Sequence, residues 1–205
     1  MRADRSSSEK LPLPLKGAYT LFFLLLVPVY GRAYGGWHFL WFSDLALFLV
    51  FGALWRESRL LASMAALAAL LPGTAWIAVF LLRLFGGPEL DAIAYMFDPN
   101  KPLPLRLLSL FHLFLPPLLL WLVVRLGYEP RAFASQTLLA WTVLLSLFFF
   151  SDPERNINFV FGFGGVLVGG DPLWHLLFLL IGIPLLLYLP LHLIFKRIFP
   201  SADQV

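Results

Sequence analysis

Leu107-Leu108-Ser109-Leu110-Phe111-His112-Leu113-Phe114-Leu115-Pro116-Pro117-Leu118-Leu119-Leu120-Trp121-Leu122-Val123-Val124 runs without a charge between Arg106 and Arg125. A stretch of this length approaches the roughly 20 apolar residues with which a helix crosses a bilayer. The remainder of the chain has the same character. Of its 205 residues, 60% are hydrophobic and 13% charged, and the mean hydropathy is +0.83. Soluble proteins carry about 25% charged residues, so this chain lacks the polar surface to wrap its apolar content in water. The reading is an all-α, polytopic membrane helix bundle.

Further apolar segments fall at about residues 17–31, 37–55, 60–85, 132–151 and 172–195, giving six expected helices with the one at 104–127. The transmembrane domain is read as 17–197, between an N-terminal tail of 1–16 and a C-terminal tail of 198–205. Arg2, Arg5, Lys10 and Lys16 before the first span resemble a signal-peptide start. No small-x-small cleavage site follows, so the segment is read as retained. Pro72-Gly73 is a place where the third helix would kink or divide, and Pro116-Pro117 would bend the fourth. Ala62-x-x-x-Ala66 and Ala65-x-x-x-Ala69 give the third helix a small-residue packing face.

Six crossings put ten Lys and Arg on the side of the termini and five (Arg32, Arg83, Lys101, Arg106, Arg155) on the other. The positive-inside rule then places both termini in the cytoplasm of a bacterial inner membrane. The basic residues are scattered and form no nucleic-acid face. Membrane lipids are the expected partners, and the sequence does not specify an oligomeric state. No cysteine is present, which removes disulfides and thiolate chemistry.

The two long connections, 86–103 and 152–171, fall on the outer side with Glu89, Asp91, Asp98, Asp152, Glu154 and Asp171. Asp98-Pro99, Asp152-Pro153 and Asp171-Pro172 each have the Asp N-cap and following proline of a helix start. The glycine-rich stretch 157–170 is too short to cross and reads as a hairpin or an interfacial flap. Its glycines do not make a phosphate loop, because no Lys-Ser/Thr follows them.

Two ionisable groups lie inside apolar runs: Asp44 in the second and His112 in the fourth. A charged side chain at mid-membrane costs roughly 2.5–3.5 kcal/mol on insertion scales, so each needs a partner or water. Both fall about seven or eight residues below the outer end of their helices, roughly 10–12 Å deep at 1.5 Å per residue, and are expected to meet. Asp44 would then orient His112 as a general base, with Ser109, Ser43 or water as nucleophile. The alternative is a structural latch joining two helices. His38 and His175 are expected as a shallower ring, too dispersed to read as a metal site. No cofactor is expected.

The strings Phe39-Leu40-Trp41-Phe42-Ser43-Asp44, Tyr95-Met96-Phe97-Asp98-Pro99, Leu108-Ser109-Leu110-Phe111-His112-Leu113-Phe114-Leu115-Pro116 and Asn156-Ile157-Asn158-Phe159-Val160-Phe161-Gly162 resemble an uncharacterised bacterial family of six-span membrane-associated proteins. That resemblance covers most of the chain and implies no activity. Gly35-Gly36 before an apolar helix, His112-x-x-x-Pro116 and Trp141 are, more remotely, similar to the androgen-induced multi-pass lipid hydrolases. This second resemblance implies fatty-acid ester hydrolysis by an intramembrane threonine and histidine. His112 matches the histidine, whereas the threonine position holds Trp41, with Ser43 and Asp44 beside it. Two functions therefore stand as expectations: hydrolysis or transfer of a lipid acyl ester, and a non-catalytic membrane subunit or small-ligand carrier.

Overall fold

The computed structural model describes residues 11–88 and 90–199. Its helices are α1 (Leu13–Tyr34), α2 (Phe42–Arg56), α3 (Arg59–Leu84), α4 (Asp91–Phe97), α5 (Leu103–Ser109), α6 (Phe111–Leu126), α7 (Ala132–Phe150), α8 (Pro172–Gly182) and α9 (Leu189–Ile198). A 3-10 turn (Gly36–Leu40) precedes α2, and a π segment (Ile183–Tyr188) joins α8 to α9. No strand occurs among the described residues, and the all-α bundle is the observed fold. The expected tails lie largely outside the described residues.

Among the described residues, five helices are long and apolar enough to cross a membrane: Leu13–Tyr34, Arg59–Leu84, Leu103–Leu126, Ala132–Phe150 and Pro172–Ile198. The sixth expected span is α2, only 15 residues long, because the 3-10 turn takes up the start of its apolar run. At 1.5 Å per residue it is about 22 Å long, and its inner face (Ala46, Leu47, Val50, Ala53, Leu54) is fully buried. The first helix begins at Leu13, earlier than expected, because Pro12 and Pro14 sit where a helix start tolerates proline.

Helix α3 is the axis of the bundle. It packs against α2, α4, α6, α7 and the π segment through a face that buries Ala62, Ala65, Ala66 and Ala69. Pro72-Gly73 does not divide it. A Cβ on Gly73 would come within 2.8 Å of the Pro116 ring, so the glycine permits the close approach of α3 and α6.

The break in the fourth span falls at Leu110, between α5 and α6, while Pro116 and Pro117 lie inside a continuous α6. The cause is local hydrogen bonding. Leu113 N–H donates to the Leu110 carbonyl at 2.9 Å, and the Ser109 carbonyl accepts from His112 Nδ1 at 2.9 Å. The Ser109 hydroxyl donates to the Leu105 carbonyl at 3.1 Å. Side-chain bonds of this kind compete with the helix ladder and bend it.

At one end of the bundle the connections are themselves packed. Helix α4 lies on α3 through Trp76, Phe80, Ile93 and Met96, and Ile157 and Val160 wedge between α7 and α8. Within 157–170, Phe163 and Val166 pair as a minimal antiparallel bridge closed by Gly164-Gly165, both at positive φ. Asp171 caps α8 by accepting from Leu173 and Trp174 amides at 2.8 and 3.3 Å, as its Asp-Pro start implies. Asp152 likewise accepts from the Glu154 amide at 3.0 Å, whereas Asp98 closes a turn to Asn100 and starts no helix.

Candidate functional site

The packed end holds Asp44, Ser43, Ser109 and His112, the candidate site residues. The C-terminal end of α1, the 3-10 turn, the start of α2, α4, α5 and the start of α6 converge there. Asp44 is the third residue of α2 and 3% exposed. The Ser43 hydroxyl and its own amide approach its carboxyl, but Oδ1 has no hydrogen-bond partner. An unmet buried acceptor costs about 1–3 kcal/mol.

His112 does not pair with Asp44. Its Nδ1–H donates to the Ser109 carbonyl, and its ring is stacked between Trp76 (4.6 Å, 19°) and Phe111 (4.1 Å, 24°). The expectation of a direct carboxylate–imidazole pair is therefore corrected. Equal depth along two helices does not fix which way a side chain faces, and the break at Leu110 turns the imidazole back onto its own helix. Ser109 is also engaged: its hydroxyl shares a hydrogen bond with the Tyr30 hydroxyl at 2.6 Å and lies 3.1 Å from the Leu105 carbonyl. No Ser109–His112 side-chain bond exists, and Ser43 stays beside Asp44.

The titratable groups that feel Asp44 are tyrosines, not His112. Tyr30, Tyr34 and Tyr95 all lie within electrostatic range of its carboxyl, and Tyr95 sits beside Ser109 and the Trp76 indole, whose Nε1–H is buried without a partner. Burial pushes the Tyr95 phenol up to about 12, so it stays protonated. His38 stacks on Tyr34 (4.2 Å, 25°) and meets Tyr30 edge-on at 5.3 Å. Lys101 Nζ lies 5.3 Å above the Tyr34 ring, and Arg155 donates to the Tyr34 carbonyl at 2.8 Å. Burial, then the charges of Lys101 and Arg155, lower the His38 imidazole to about 4. His38 is neutral at physiological pH.

His175 does not join His38. It is fully buried, accepts from the Val168 amide at Nδ1 (3.1 Å) and donates from Nε2 to the Phe159 carbonyl (2.9 Å). Both ring nitrogens are spent on fastening 157–170 to α8. Among the described residues, no three His, Asp or Glu side chains cluster as metal ligands.

Sequence reading missed Tyr30, Tyr34, Tyr95 and Asn158. Tyr30 and Tyr34 stand at i,i+4, the spacing that puts two phenols on one helix face, which was the available signal. Asn158 had none. Its carboxamide accepts from the Phe42 amide (3.0 Å) and donates to the Leu40 carbonyl (2.8 Å), capping α2 from 116 residues away because Trp41 has no side chain to do so.

The chain matches no protein-family model, no curated protein and no solved structure.

Proposed function

We propose that the chain is a multi-pass protein of a bacterial inner membrane, with both termini cytoplasmic and the Asp44 end toward the outer leaflet, which holds a small polar ligand or lipid headgroup as a non-catalytic carrier or subunit. One observation carries this reading: Asp44 Oδ1 is buried and unpartnered. A latch would have its partner within reach. An acceptor left unmet inside an apolar bundle costs stability and is explained by a ligand that supplies the missing donor.

The test is Asp44→Leu. The expected outcome is unfolding stability equal to or above that of the original protein, together with loss of ligand-induced stabilisation. A latch would instead lose about 3–5 kcal/mol on removal of one member, and a drop of that size sinks the carrier reading.

Hydrolysis or transfer of a lipid acyl ester is a second reading, favoured by Ser109 lying one turn before His112 and 2.6 Å from the Tyr30 hydroxyl. It needs His112 Nε2 as the base, since Nδ1 is bound. Unchanged turnover by His112→Ala in a reconstituted lipid assay removes it.

A further inference from the structure

Resting on the carrier reading, we infer that the Asp44 site takes a zwitterion made of a primary ammonium and a phosphate, the headgroup chemistry of an aminophospholipid. Three features of the same end fit the two charges. At the floor, Asp44 Oδ1 lacks a donor, and Tyr30, Tyr34 and Tyr95 lie within electrostatic range of the carboxyl. An ammonium brings three N–H donors and a charge that carboxylate and aromatic faces both attract. A quaternary ammonium has no N–H to give Oδ1.

At the rim, Lys101 and Arg155 both lie close enough to His38 to affect its charge, and both contact Tyr34. Neither makes an ion pair among the described residues. The nearby carboxyl of Asp98 accepts from the Asn100 amide within its own turn. Two cations gathered at one residue, Tyr34, suit a phosphate, which Arg binds through its planar fork and Lys as a point charge. Between floor and rim stands the Tyr34–His38 stack beneath Lys101. Neutral His38 adds no charge there to repel the incoming ammonium. With the unpartnered carboxyl inside and the two cations outside, the site selects a ligand that enters ammonium first.

The full-length protein is placed in nanodiscs of phosphatidylethanolamine with phosphatidylglycerol, of phosphatidylcholine with phosphatidylglycerol, and of phosphatidylglycerol alone. In parallel, detergent-solubilised protein is titrated with free phosphoethanolamine and with methylammonium. The expected result is a thermal midpoint several degrees higher with phosphatidylethanolamine than with phosphatidylcholine. Asp44→Asn and Lys101→Gln should each remove that increment, while Glu154→Gln at the exposed edge should keep it. An equal Asp44-dependent shift with free phosphoethanolamine, without a lipid effect, supports the same chemistry from a soluble source. Equal midpoints in the two lipid mixtures with no response to phosphoethanolamine, or an increment that survives Asp44→Asn, overturn the inference. A shift with methylammonium alone that needs Asp44 overturns the zwitterion and spares the carrier reading. No Asp44-dependent shift with any probe removes both.

Discussion

His38 is surrounded by groups that keep it neutral, and the consequence is a pH dependence of stability. Its folded value is about 4, lowered by burial and then by Lys101 and Arg155, against about 6.5 for an unperturbed histidine. Between those values the unfolded chain binds the proton and the folded one does not, so stability rises with pH. The contribution is complete above about pH 6.5 and is lost as pH falls toward 4. A scan of thermal midpoint over that window should slope less steeply in His38→Phe than in the original protein. Parallel slopes would show that the imidazole is free to protonate in place. His112 serves structure in a different way, through stacking and one carbonyl. His112→Ala should cost about 3–5 kcal/mol, as for other buried aromatic truncations. His112→Phe keeps the stack and leaves the Ser109 carbonyl unmet, for about 1–3 kcal/mol. Chemical unfolding in mild detergent ranks the two, and the reverse order would assign the hydrogen bond the larger part.

Helix α2 depends on a residue that lies far from it in sequence. Its first amide, of Phe42, and the Leu40 carbonyl ahead of the helix are both bound by Asn158, and that asparagine holds a left-handed backbone (φ 53°) to reach them. Asn158→Ala should cost about 1–2 kcal/mol, the usual range for losing a cap. It should also speed amide exchange across residues 36–44, since the 3-10 turn and the start of α2 share the anchor. Exchange unchanged there, with the same stability, would show that the Asn158 bonds form without supporting the helix. The break at Leu110 follows from the same kind of competition, in which Ser109 and His112 take over carbonyls that the helix ladder leaves. The prolines were the more visible signal in the sequence. They disturb less than expected because Pro116 fits against Gly73 of α3.

The bundle as a unit separates two ends. One carries the Asp44 site and the packed connections. The other is fastened by Lys16–Glu57 at 2.7 Å, Arg59 on the Tyr128 carbonyl and Tyr128 on His192. Because the chain contains no cysteine, single introduced thiols report sidedness directly. Glu154→Cys should react with a membrane-impermeant maleimide in intact cells, and Arg131→Cys only after lysis. The opposite pattern would invert the proposed orientation and put the Asp44 site on the cytoplasmic face.

Composition and run length were enough to dictate an all-α membrane bundle, because a bilayer core admits few ways of satisfying a backbone and the length needed to cross it is counted in residues. They also located the polar end, since Asp44, Ser43, Ser109 and His112 all lie there. Which of these groups face each other was set by packing. The direction of a buried side chain depends on helix rotation and on local breaks such as Leu110, and neither is encoded in the spacing of apolar residues. Asp44 thus came within electrostatic range of the tyrosines of α1 and α4, His112 turned back to the Ser109 carbonyl and the Trp76 ring, and Asn158 was brought to α2 from far along the chain.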